Sequence, residues 1–157
     1  MKHMKTSPKD IFLHLLAIIA LYASAISFLT LAFQYANLAF PDTLEYSYAI
    51  DAAYSRIRMA ISFLIIAFPV YLFVMRFFEK DYKKNPEKRK LTVRKWLIYF
   101  TLFVAALVIL GDLIALINNF LEGDLTVRFA IKVVAVLFVA GSIFGYYLSD
   151  IKRHKLE

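Results

Sequence analysis

Four stretches of this chain are apolar over lengths that match a lipid bilayer. They run from Ile11 to about Phe40, from about Ala52 to Phe78, from Trp96 to Leu121 and from about Leu125 to Leu148. At about 1.5 Å per helical residue, each reaches across a hydrocarbon core of roughly 30 Å. No water is available there to satisfy backbone amides, so such segments must be helices or strands of a closed barrel. The alternating segments of about ten residues that mark a membrane barrel are absent. The expectation is an all-α polytopic protein: a single domain over residues 1–157, an antiparallel bundle of four transmembrane helices.

Composition removes the competing classes. Of the 157 residues, 61% are hydrophobic and 20% charged, against about half and a quarter in soluble domains. The absence of cysteine excludes a disulfide scaffold, a thiol oxidoreductase and a cysteine-rich zinc site. His14 is the only histidine within an apolar segment, too few for bis-histidine haem. No glycine-rich phosphate loop, HExxH or GxSxG occurs, so no enzyme is expected, and no cofactor or metal. Ala23-Ser24-Ala25 imitates a signal-peptidase site. Ile26 to Phe33 remains apolar beyond it, so the segment is expected to stay as a first span.

Local punctuation sets the ends. Ser7-Pro8-Lys9-Asp10 reads as an N-cap, a proline in the first turn and an acid at the helix start. Pro41-Asp42 is expected to close the first helix, Gly123 the third, and Asp124 to cap the fourth. Pro69 is expected to kink the second helix and free the carbonyl of Ile65.

Basic residues set the orientation. Lys2, Lys5 and Lys9 precede the first helix. Arg76, Lys80, Lys83, Lys84, Lys88, Arg89, Lys90, Arg94 and Lys95 surround the 79–95 loop, and Lys152, Arg153 and Lys155 follow the fourth helix. The other side holds Arg56, Arg58 and Arg128. The positive-inside rule therefore puts both termini and the loop in the cytoplasm, with the protein in the cytoplasmic (inner) membrane. The same loop, residues 80–95, is positioned to meet anionic lipid head groups. A basic chain of this kind needs no nucleic acid to explain its charge.

Polar residues inside the spans are the candidate sites. Asp112 and Lys132 lie at nearly equal depth on either side of the third hairpin turn and are expected to pair. Stripes of small and polar residues define one face of each helix. These are Ala17, Ala20, Ser24, Ser27 and Gln34; Asp51, Ser55, Arg58 and Ser62; Ala105, Val108, Asp112, Ala115 and Asn119; and Arg128, Lys132, Ala135, Val139 and Ser142. Their polar ends, Gln34, Arg58, Asp112, Asn119, Arg128 and Lys132, gather in the outer half. The inner half is expected to be almost purely apolar. In one reading they form a ligand or ion pathway; in the other, Asp112 and Lys132 fix helix register. Gly141 and Gly145 form a GxxxG for close helix packing, within the chain or between copies.

The stretch from Thr92 to Arg153 resembles a family of small prokaryotic four-helix membrane domains of unknown function. Gly111-Asp112-Leu113-Ile114, Asn118-Asn119 and Phe144-Gly145-Tyr146-Tyr147 are its most distinctive pieces. The resemblance implies fold and prokaryotic origin and carries no site. Two functions stay open. One is binding or conduction of a small ion or polar solute at the outer cluster by a homo-oligomer, as a channel or transporter would do. The other is a scaffold acting through helix–helix and lipid contacts.

Overall fold

The computed structural model describes residues 7–40 and 47–154. Pro41, Asp42, Lys2, Lys5 and Lys155 lie outside the described residues. Four helices follow one another: α1 (Pro8–Ala39), α2 (Ser47–Lys84), α3 (Thr92–Glu122) and α4 (Val127–His154). A short 3-10 helix, η1 (Pro86–Lys90), joins α2 to α3. There is no strand among the described residues. All four helices are long and apolar enough to cross a membrane.

The caps explain where the helices begin and end. Ser7 Oγ accepts the Asp10 amide at 3.2 Å, and the Asp10 carboxylate accepts from the Ser7 amide and hydroxyl. Each thus satisfies an orphan donor of the other. Gly123 ends α3 in the left-handed region at φ 75°, where a side chain would clash. The Asp124 amide donates back to the Asn119 carbonyl at 3.0 Å. The sequence offers Asp124 as the cap of α4, but Asp124 does not cap it. The helix starts at Val127, and Thr126 Oγ1 accepts the Phe129 amide at 3.1 Å. α2 stays helical on both sides of Pro69, and the Ser62 hydroxyl donates to the Arg58 carbonyl rather than to that of Ile65.

Packing divides the bundle into two hairpins. α1 lies antiparallel to α2, with a buried seam of Ala17, Val74, Phe78 and Tyr82. α3 pairs with α4 through Ile98, Leu102, Tyr147 and Ile151. α1 also joins the second hairpin: Tyr22 and Thr101 hydroxyls meet at 3.1 Å, and Leu21 packs beside Tyr147. Phe12, Ile19, Ile66, Phe73, Phe103, Ile114 and Phe138 all point outward. An apolar girdle of this extent has no water-compatible explanation and suits lipid.

The α1 stripe read from the sequence is buried along Ala17, Ala20, Ser24, Ser27 and Gln34. The other three stripes need correction. On α2, Asp51, Ser55, Arg58 and Ser62 are all exposed, and Ala53, Ala60, Val74 and Phe78 face inward. On α4 the buried seam is Val133, Ala140, Tyr147 and Ile151, spaced by seven, seven and four residues and lying about 100° around the helix from Lys132. On α3, Ala105 is buried while Val108 is exposed. Gly141 and Gly145 are exposed too, and a methyl group added to either would meet no atom within 4 Å among the described residues. The GxxxG therefore packs against no other helix among the described residues.

Candidate functional site

The six outer polar residues do not converge. Arg58 is exposed on α2. Asn119 donates to the Ala115 carbonyl of its own helix at 2.9 Å. Arg128 Nε donates to Asn37 Oδ1 at 2.6 Å, joining α4 to α1. Gln34, 8% exposed, shares a cavity of about 220 Å³ with Asn37 and Arg56. The expected ion pair is not formed. Asp112 Oδ2 is buried with no hydrogen-bond partner among the described residues, and Lys132 Nζ sits 5.6 Å over the Phe33 ring. The reason is rotational: Lys132 lies off the α3-facing seam of α4 and turns toward α1.

At the opposite end, side chains from all four helices do meet. The start of α1, the end of α2, the start of α3 and the end of α4 enclose a cavity of about 210 Å³. Its floor is apolar, with Ala17, Ile18, Leu97 and Ile98, and its rim carries Glu79, Arg94, Asp150 and Arg153. This end is not the apolar half that the sequence suggested. The helices extend past their apolar runs, so residues that read as loop and tail become parts of the bundle.

The cavity wall is a ladder of aromatic and charged groups. His14 stacks on Phe78 with centroids 4.4 Å apart, and Phe78 stacks on Tyr82 at 5.8 Å. The Arg94 guanidinium lies 5.3 Å over Tyr82, a cation–π contact, and forms an ion pair with Asp150. Arg94 is only 8% exposed, so the pairing carboxylate is what makes its burial tolerable. Tyr71 and Tyr147 hydroxyls meet at 3.4 Å just behind. Lys88, from η1, closes the end: its ammonium lies 2.9 Å from Asp81 and 3.7 Å from Asp10. Asp81 first, then Asp10, holds its pKa above the ordinary lysine value.

His14 is the distinctive member. It is 6% exposed, and its Nδ1 lies 2.6 Å from the Asp10 carbonyl. A carbonyl can only accept, so Nδ1 carries the proton and Nε2 of the neutral ring presents a lone pair. That Nε2 is buried with no hydrogen-bond partner among the described residues. Among those residues no group of three or more His, Cys, Asp or Glu could hold a metal ion.

Sequence reasoning missed this site, although a signal was present. Continuing the α1 stripe of Ala17, Ala20, Ser24 and Ser27 about two turns backwards, in steps of three and four, reaches His14 and Asp10, both buried. Arg94, Ile98, Thr101 and Ala105 repeat the same steps on α3.

Four long apolar helices packed as a bundle, with charged groups gathered between them at one end, define a small polytopic membrane domain. No curated protein and no solved structure matches the chain. Over residues 10–147 it matches the family described as "Domain of unknown function (DUF5671)", and the chain belongs to that family.

Proposed function

We propose that this chain is a multipass protein of the cytoplasmic membrane that binds a small polar solute in the four-helix cavity. The reading has both termini and η1 on the cytoplasmic side, supported by the excess of Lys and Arg there. One observation carries it: a histidine nitrogen with an unsatisfied lone pair, buried in the wall of a cavity that all four helices line. A buried acceptor left without a donor costs about 1–3 kcal/mol, which a bound solute would recover. The outer residues support a pathway less well, because their polar groups are dispersed.

The absence of native cysteine makes the test clean. A Leu97→Cys variant in proteoliposomes is expected to react with a water-soluble thiol reagent from the η1 side. A Phe103→Cys variant, whose side chain points outward in mid-helix, is expected to stay unreactive. Equal silence at both positions, or labelling of Leu97→Cys from the opposite side only, overturns the reading.

A second reading, a scaffold assembled from several copies, is favoured by the outward Gly141 and Gly145, with anionic head groups at the 80–95 loop as further partners. Cross-linking in native membranes that yields only monomer, unaltered by Gly145→Leu, would count against it.

A further inference from the structure

We propose that the cavity takes a short monocarboxylic acid, with its hydroxyl donated to His14 Nε2 and its carbonyl oxygen toward Arg94 and Arg153. This rests on the solute-binding reading above and names the chemistry of its ligand.

Three observations select that class. The first is the lone pair. Nδ1–H is committed to the Asp10 carbonyl, so whatever meets Nε2 of the neutral ring must bring a proton of its own. A bare anion sets lone pair against lone pair.

The second is charge. The rim holds two guanidinium groups, Arg94 and Arg153, and two carboxylates, Glu79 and Asp150. With the imidazole neutral the rim is balanced, so a ligand arriving with net charge upsets it and an undissociated acid does not. Passing the acid's proton to Nε2 breaks one O–H bond and forms one N–H bond. The carboxylate and imidazolium so formed leave the net charge unchanged. The ionisable groups that face His14 are Asp10 on its own helix, Lys88 from η1 and Arg94 from α3. Tyr82, Tyr146 and Tyr147 complete the titratable lining.

The third is the pairing of a polar rim with an apolar floor. Ala17, Ile18, Leu97 and Ile98 offer a bed for a short alkyl chain. An alcohol would satisfy Nε2 but lacks the carbonyl that a planar guanidinium fork recognises.

The test uses the full chain in lipid nanodiscs, labelled with 15N in its histidines, and butyrate as probe. Butyrate is expected to shift the His14 Nε2 resonance saturably and to slow thiol labelling of the Leu97→Cys variant. Apparent affinity is expected to fall about tenfold for each pH unit between pH 6 and pH 8, following the undissociated fraction of a carboxylic acid. His14→Phe keeps a ring against Phe78 and is expected to abolish the protection that butyrate gives the Leu97→Cys variant. The pH series on the unaltered chain decides the matter even where that variant does not fold. A butyrate affinity independent of pH, or equal responses to butanol or butylammonium, overturns the acid and leaves the solute cavity standing. No response to any of the three, with no protection of the Leu97→Cys variant, overturns both.

Discussion

The two ends of the bundle use polar residues in opposite ways. At the η1 end, charged groups far apart in sequence meet, Arg94 with Asp150 and Lys88 with Asp10, and Lys88 also pairs with nearby Asp81. At the far end, polar side chains are mostly satisfied locally or by an aromatic face, as Asn119 is by Ala115 and Lys132 by Phe33. Arg128 to Asn37 is a direct inter-helix hydrogen bond at that end. A group satisfied within its own helix can be read from that helix alone. A group satisfied across the bundle holds the helices in one arrangement and shapes the space between them.

Substitution should separate the two ends sharply. Arg94→Met is expected to destabilise the protein by about 3 kcal/mol, because it strands Asp150 in a mostly buried site. Replacing Arg94 and Asp150 together by apolar residues should cost far less. Denaturation in mixed micelles measures both, and a single variant as stable as the double breaks the contrast.

A smaller effect is expected at Lys88. Its ammonium is partly exposed, so Lys88→Met should cost about 0.5 kcal/mol at neutral pH. Its pKa is raised in the folded state, so this contribution is complete below the ordinary value of 10.5. It is lost as pH climbs through the folded value. Stability curves of wild type and variant should therefore stay apart around neutrality and converge in strongly alkaline buffer, and again in strong acid where the partner carboxylates lose their charge. Curves that already coincide at neutral pH would place the effect elsewhere.

The smallest effect tests the opposite end. Asp112→Asn and Lys132→Met should be additive, with a coupling energy below about 0.5 kcal/mol, because the two side chains face different neighbours. A double-mutant cycle that returns several kcal/mol would restore the pair expected from their matched depth.

Much of the fold was readable from the chain. The four helices, the Ser7–Asp10 capping box, the Gly123 terminus and the buried α1 stripe all follow from residue type and spacing. The inward faces of α2 and α4 did not, because their polar residues suggested burial where Ala53, Ala60, Val133 and Ala140 achieve it. In lipid, small apolar residues mark close approach as well as polar ones do. The cavity was hidden for a different reason. Charges at the ends of apolar runs serve orientation, and that role conceals Arg94 and Asp150 as members of the bundle. His14 was visible as a solitary residue, but its neighbours Phe78, Tyr82 and Arg94 come from helices whose rotation sequence alone does not fix.

The division into two hairpins has a consequence for assembly. Each hairpin has its own apolar seam, Ala17 to Tyr82 in the first and Ile98 to Ile151 in the second, so each can close as a pair on its own. His14 and Phe78 belong to the earlier pair, Arg94 and Asp150 to the later. The chamber between them therefore comes into being only when the second pair docks on α1. Until α4 packs beside α3, Arg94 lacks the Asp150 carboxylate that makes its burial tolerable, so the two hairpins close around a charge that only the finished second pair can neutralise.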